Sequence, residues 1–368
     1  MYKRLMSMSG SILKTLIPSF IYPLFSDVKR SDFKGKKANA LKKIVFIRPG
    51  KLGDLIVATP FFCQLKQTIP DLHIAVVCSS YNKIAVQNNP FIGELKVVNF
   101  HSVIAVCKLI QWIKKGNFDW MIDLTPGISR TSTLISRLVK SERTFTAGMH
   151  KGKFRKYFDI TTDNQGLHII DRNKFLIEAV TGMSFSGTSQ VKIYVLPVHE
   201  ENAQRLLNDI DKNRFIVGIN CSAGEPERQW SKEKYSKLVT YLIEKYPMIH
   251  IVLIAVGEQR EWVQEFSTRN ERVISLAGSD FLTVVAAMSH LNMFFSPDTS
   301  LIHIAGGLGI PVVGMYCIDG ENLIRWRAYG CKSKELVALK THDVNEISVD
   351  DVFAAISEII DSKRNDKK

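Results

Sequence analysis

From residue 42 onward the chain alternates short apolar runs with longer amphipathic stretches. Lys43–Arg48 (KIVFIR) is apolar at consecutive positions, the pattern of a strand covered on both faces, as in a parallel sheet. The spacing then predicts a helix over Asp54–Lys66, with Leu55, Ile56, Phe61, Phe62 and Leu65 on one broad face. Strands follow at His73–Cys78 and Lys96–Phe100, a helix at Ser102–Lys114 and a strand at Phe118–Leu124. The second half repeats the pattern. Phe215–Asn220 reads as a strand, and Ser231 caps a helix carrying Tyr235, Leu238, Val239, Leu242 and Ile243 that Pro247 ends. Ile249–Val256 is a buried strand, followed by a helix at Asp280–Ser289, a strand at Met293–Ser296, a helix from Thr299 and a strand at Val312–Tyr316. Ser348-Val-Asp-Asp351 opens a last helix in the manner of a capping box.

Strands alternating with helices indicate βαβ units and parallel sheets. With 368 residues, 45% of them hydrophobic, the chain is long enough for two domains. The expected architecture is α/β, two doubly wound Rossmann-like units at 42–200 and 201–340, with the junction near 196–214. An arm at 1–41 precedes them and a helix with a basic tail at 341–368 closes the chain. Such a pair leaves a cleft at the carboxyl ends of both sheets, where these folds bind ligands.

The net charge of +13 asks for an acidic partner, but its distribution narrows the choice. Residues 1–43, the arm and the two residues after it, hold ten Lys/Arg against Asp27 and Asp32, so this segment carries eight of the thirteen excess charges. No nucleic-acid-binding motif accompanies them, which ranks a nucleic-acid partner last. Within the arm, residues 11–25 are apolar but interrupted by Lys14, Pro18 and Pro23, too broken for a transmembrane helix. Apolar residues flanked by basic ones suit an anchor on an anionic membrane surface, or equally an arm packed on the protein itself. The six cysteines are scattered without a CxxC pair, which disfavours a disulfide framework or zinc site and fits a cytoplasmic protein.

Three loops carry candidate chemistry. Arg48-Pro-Gly-Lys51-Leu-Gly-Asp54 lies between the first strand and first helix, with Gly50 and Gly53 permitting a tight turn and Asp54 at the mouth of the cleft. Locally, Asp54 reads better as a helix cap than as a base, and the loop matches neither GxGxxG nor GxxxxGK. Ser296-Pro-Asp298-Thr299-Ser300-Leu-Ile-His303 follows a strand and opens a helix, whose free N–H groups and dipole suit a diphosphate; Thr299 and His303 share a helix face. Asn220-Cys-Ser-Ala-Gly224-Glu-Pro-Glu-Arg228-Gln-Trp230 is a long turn in which Arg228 offers two-pronged phosphate contact. Asp209-Ile-Asp211 has the spacing of a metal-binding DxD but precedes a strand in the linker and reads as surface; Asp71 and His73 form no metal cluster.

Together these stretches resemble glycosyltransferase family 9, the ADP-heptose:lipopolysaccharide heptosyltransferases. The similarity runs from about Lys42 to Gly330 and rests on KLGD followed by ATPFFCQLK, on the Arg228-Gln-Trp230 turn, on residues 276–316 and on Ile324-Arg-Trp-Arg-Ala-Tyr-Gly330. The resemblance implies a GT-B fold with acceptor on the N-terminal domain and nucleotide donor on the C-terminal one. It implies inverting transfer of heptose from ADP-heptose to lipopolysaccharide core, with no metal and no cofactor beyond the donor; the basic arm adds the expectation of a peripheral place on the cytoplasmic face of the inner membrane. Asp54 falls on the catalytic base, Lys51 near the leaving diphosphate, and Arg228 on a cation that neutralises it. Asp298, Thr299 and His303 fall on the donor motif, and Glu258 or Glu261 on the ribose contact. Lys151, Lys153, Arg155 and Lys156 fall in the acceptor region, and His168 with Arg172 is expected to orient the next helix. Ser300 stands where the family usually has glycine, which opens the donor identity.

Two other readings compete. The same scaffold could take another sugar nucleotide, such as a UDP-hexose, for surface polysaccharide. A degenerate, non-catalytic binding protein is the second, disfavoured by the joint presence of Asp54, Arg228, Asp298 and His303.

Overall fold

The computed structural model describes residues 41–185, 190–208, 210, 214–317 and 320–365. The arm expected at 1–41 falls outside this set except for Leu41, as do Asp209 and Asp211 of the DxD spacing.

The first domain orders β1 (Lys43–Arg48), α1 (Leu52–Ile56), α2 (Thr59–Thr68), β2 (His73–Cys78), β3 (Glu94–Val97), α3 (Val103–Lys115), β4 (Trp120–Asp123), α4 (Arg130–Val139), β5 (Phe145–Met149), β6 (Ile160–Thr162) and α5 (Ile169–Thr181). Its sheet runs β3-β2-β1-β4-β5-β6, every pairing parallel. After α6 (Pro197–Leu206), the second domain orders β7 (Phe215–Asn220), α7 (Lys232–Lys245), β8 (Ile249–Ile254), α8 (Gln259–Ser267), β9 (Val273–Ser275), α9 (Phe281–Met288), β10 (Met293–Pro297), α10 (Ser300–Gly307), β11 (Val312–Cys317), α11 (Gly320–Trp326), β12 (Ser333–Ala338) and α12 (Val349–Asn365). Its sheet, β12-β11-β10-β7-β8-β9, is again parallel and has the same winding. Among the described residues no helix is long and apolar enough to cross a membrane.

β1 shows how the apolar runs become a core. Val45 and Ile47 face α3 and α4 on one side, while Ile44 and Phe46 face the other, and all four are fully buried. The outer face of the second sheet is covered by α7 and α12, where Tyr235, Leu238, Ile356 and Ile360 meet Val217 and Ile251. The two inner faces do not close separately. One continuous apolar cluster runs from Ile44 and Phe46 through Leu55 and Phe61 to Leu301, Ile302, Val252 and Ile254. Sheets buried on both faces in this way need the uninterrupted hydrophobic strands that the sequence carries.

The caps expected at Ser231 and Ser348 form, and Asp280 adds a third. Ser231 Oγ accepts from the Lys234 N–H, Asp280 Oδ1 from the N–H groups of Leu282 and Thr283, and Ser348 Oγ from the Asp351 N–H. Two elements differ. The single helix expected over Asp54–Lys66 is two, because Pro60 has no N–H and its ring excludes the Ile56 carbonyl; the chain bends at Val57–Ala58 and Pro60 sits in the first turn of α2. The strand expected at Lys96–Phe100 lies two residues earlier, since its ladder with β2 pairs Glu94–Val97 with Ala75–Cys78.

The domain seam also shifts. The boundary expected between residues 200 and 201 falls inside α6, which packs on α9 of the second domain. Residues 191–195 run between the domains: the Lys192 N–H donates to Thr59 Oγ1 on one side, while Val191 O packs against the end of α10 on the other. Gly306 and Gly307 make room there, as a Cβ would stand 2.3 Å from Tyr329 O and 2.2 Å from Val191 O respectively.

Candidate active site

The carboxyl ends of both sheets open on one cavity of about 750 Å3, within the range typical of ligand sites. The first domain lines it with residues 48–54, Tyr81, Thr125 and Pro126; the second with the turn after β7, with Asp298–Leu301 and His303, and with Asn322 and Trp326. α1 packs on α10, so the βα turn of one domain faces that of the other.

Asp54 is the third residue of α1, and its side chain does cap the helix start by reaching back to the N-cap residue Lys51. Its Oδ2 accepts from the Lys51 N–H at 2.8 Å and meets Arg48 Nη2 at 2.9 Å. Arg48, at the end of β1, is almost fully buried, its carbonyl held by Asn82 Nδ2 at 2.9 Å. Burial lowers the guanidinium from its ordinary value, and Asp54 and Asp123 counter that. The Asp54 carboxylate is therefore clamped through one oxygen, with Oδ1 left for a ligand. Gly50 is what admits it, because a Cβ there would lie 2.3 Å from Oδ2.

On the opposite wall, Thr299 caps α10 in extended conformation without using its hydroxyl on the helix. Asn220 Nδ2 gathers this corner, donating to Ser222 O, Ser296 Oγ and Thr299 Oγ1 at 3.0, 3.0 and 3.2 Å. The first N–H groups of α10 thus open on the cavity, an arrangement that attracts anions. Arg228 Nη1 lies 2.9 Å from Asp298 Oδ2. Burial raises the Asp298 carboxyl above its ordinary range, with Arg228 and Lys51 acting against that. Lys51 reaches across the cleft to Glu225 at 2.8 Å. Ser300 lies against Gly53, where a Cβ would touch its Cα and Cβ at 3.5 Å, so its side chain is tolerated by α1.

His303 lines the cavity from beneath. Burial pushes its imidazole down to about 3, its Nδ1 has no hydrogen-bond partner among the described residues, and its ring stands between Trp326 and His168. His168 caps α5: its Nδ1 accepts from the Ile170 N–H, so Nε2 carries the hydrogen that it donates to Arg327 O at 3.0 Å. Arg172 pairs with Glu321 at 3.3 Å. The two residues expected to orient α5 therefore also tie it to the far domain.

The structure thus gathers Lys51, Asp54, Arg228, Asp298, Thr299, Ser300 and His303 in one cleft. It does not bring the rest there. Glu258 and Glu261 are exposed around the start of α8 and line no part of the cavity. Lys153, Arg155 and Lys156 are exposed on the 3-10 turn at Gly152–Tyr157, also outside the lining. Lys151 is corrected outright: it is fully buried, its ammonium bonded to Asp123 Oδ2 at 2.7 Å, Thr125 O at 2.8 Å and Gly127 O at 3.1 Å, which leaves no donor for a ligand. Sequence reading passed over Arg48 and Asn220, whose signal was a polar residue ending an otherwise apolar strand.

Two parallel-sheet Rossmann-like domains facing one cleft define the GT-B class. The family model for glycosyltransferase family 9 (heptosyltransferase) matches residues 106–353, two thirds of the chain, and the chain belongs to that family: it is a glycosyltransferase. The match begins beyond the Asp54 loop, so that loop is carried by the geometry above. Lipopolysaccharide heptosyltransferase 3 of Escherichia coli K12 is 23% identical over 292 residues, 75% of this chain and 82% of that protein. A family 9 glycosyltransferase of Veillonella parvula superposes with a TM-score of 0.73 at 22% identity, covering 88% of this chain and 98% of its own. The Escherichia coli heptosyltransferase WaaC, solved with ADP, gives 0.67 at 16% identity, covering 86% and 99%.

Proposed function

We propose that the chain transfers heptose from ADP-heptose to a sugar of the lipopolysaccharide core, with Asp54 as general base, inversion at the anomeric carbon and no metal. The observation that carries this is the opposition of two turns across one cleft: a clamped carboxylate with a free Oδ1 on one wall, and a helix start beside a guanidinium on the other. A donor diphosphate at the start of α10 would take its N–H groups, Thr299 and Arg228 as partners, cations and dipoles in the role a metal fills elsewhere. The apolar strip of Ile254, Val256, Phe281 and Val284 suits a nucleobase. An acceptor hydroxyl on the Asp54 side then meets the anomeric carbon from the face opposite the diphosphate. Asp54 takes its proton as the new bond forms, and a single displacement of this kind inverts the centre. The chemistry of the relatives, one named for lipopolysaccharide and one solved with ADP, supports the substrate assignment.

ADP-heptose turnover against a panel of truncated lipopolysaccharide cores tests the reading. ADP release with one truncation is expected, unchanged by chelator and lowered about 10²–10⁴-fold in Asp54→Asn. An enzyme that does not bind ADP would remove the heptose donor, and an unimpaired Asp54→Asn would remove the base. We also place the protein at the cytoplasmic face of the inner membrane through residues 1–40. Deleting them should release it from anionic vesicles while sparing transfer to a short soluble core.

A further inference from the structure

The Asp123–Lys151 pair buries two charges inside the first domain, and α/β packing does not require it. Both side chains have no solvent exposure. Such a pair is often replaceable by apolar residues without loss of stability, so its presence calls for a local reason. Burial alone would raise the Asp123 carboxyl; the Lys151 ammonium, Ser132 and the Thr125 N–H outweigh it and hold the carboxylate below its ordinary range.

The backbone is shaped to bring the lysine inward. His150 adopts φ +51° and Gly152 φ +49°, so left-handed residues flank Lys151 on both sides. For His150 that conformation is strained, and strain of this kind persists where the surroundings enforce it. Gly148 clears a slot for the stem, since a Cβ there would lie 2.5 Å from Lys151 Cε. The neighbours Lys153, Arg155 and Lys156 stay in solvent.

What the ammonium holds is the turn after β4. It takes the carbonyls of Thr125 and Gly127 into the interior, leaving Thr125 and Pro126 as the cavity wall beside the Asp54 turn. Thr125 Oγ1 is itself turned into the interior, buried and with no hydrogen-bond partner among the described residues.

We propose that the buried Asp123–Lys151 pair positions the Thr125–Gly127 turn as the wall against which the acceptor sugar rests, making Lys151 a positioning residue. This rests on the assignment of the first domain to the acceptor. With the carbonyls drawn inward, the wall presents the Pro126 ring and the Thr125 side chain to the ligand; without Lys151, two unpaired carbonyls are free to turn outward and the wall loses its shape.

The test is Lys151→Met in the full chain, with KM measured separately for ADP-heptose and for the core acceptor. Lys151→Met should raise the acceptor KM at least tenfold and leave the donor KM within twofold. Equal movement of both KM values, or an unmoved acceptor KM in a folded variant, overturns the proposal. If Lys151→Met does not fold, the double variant Asp123→Asn/Lys151→Met removes both buried charges and is read in its place. Calorimetric binding of core oligosaccharide with ADP present separates this from the catalytic reading. A wild type that binds the oligosaccharide but fails to transfer heptose refutes only the transfer, and variant binding still decides the wall. A wild type that binds no core oligosaccharide refutes the wall.

Discussion

Replacing Gly50 by alanine adds one methyl group at the point where the clamped carboxylate is most tightly enclosed. The new Cβ would stand 2.3 Å from Asp54 Oδ2 and 3.4 Å from its Cγ, with Arg48 Cζ at an ordinary 3.7 Å. Carbon and oxygen in van der Waals contact need about 3.4 Å, so the oxygen must retreat by about 1 Å. Retreat breaks the bonds from the Lys51 N–H and Arg48 together, because both end on that same oxygen. A displacement of about 1 Å at a reacting group costs on the order of 10²-fold in rate. Gly50 is absent from the positive-φ glycines, so alanine itself adopts the local backbone and the global fold is expected to hold. Single-turnover transfer should therefore fall about 10²-fold while the melting temperature and ADP affinity change little. Gly53→Ala, which meets its neighbours at 3.5 Å, is the matched control and should fall far less. Wild-type turnover in Gly50→Ala would refute the clamped geometry of Asp54.

Two further outcomes follow from the same site. Arg228→Ala should lower kcat about 10²–10³-fold, as for loss of one electrostatic donor to a developing charge, and raise the donor KM; equal kinetics to wild type would remove Arg228 from the diphosphate. His168 and His303 are held neutral by burial, at about 4 and about 3 against an ordinary 6.5. Both folded values lie below the unfolded one, so the unfolded chain binds more protons; stability is complete above pH 6.5 and is lost as pH falls toward 3. At about 1.4 kcal/mol per pKa unit, urea titrations between pH 7 and pH 5 should show a loss of about 2 kcal/mol per histidine, halved overall by His303→Leu, and a flat profile would contradict it.

Much of this fold is legible because parallel strands covered on both faces must be apolar throughout. Lys43–Arg48, Phe215–Asn220 and Ile249–Ile254 announce themselves in that way, and Ser231, Asp280 and Ser348 mark helix starts through their cap chemistry. β5 and β6 do not, since Phe145-Thr-Ala-Gly-Met and Ile160-Thr-Thr carry small or hydroxyl residues toward the sheet edge. At the site, charge type was readable and direction was not. Lys151 has the same chemistry as Lys153 two residues on, but the left-handed residues around it turn it inward. Glu258 and Glu261 follow the right strand on a helix start that places them in solvent. Arg48 became visible only through its contact with a carboxylate six residues away.

The continuous apolar layer under the cleft has a consequence for engineering this enzyme. Exchange of whole halves between relatives is the obvious route to a new donor or acceptor, and here the halves are not interchangeable blocks. A join at residue 200 would cut α6 and strip α9 of its cover, and a join between Val191 and α6 would still part the second domain from the chain that lies against Gly307. A working chimera must therefore carry residues 191–206 with the second domain and match its partner at Thr59, Leu55 and Phe61. Grafts confined to the Thr125–Gly127 turn or to the Asn220–Arg228 turn leave that seam untouched and are the more promising exchange.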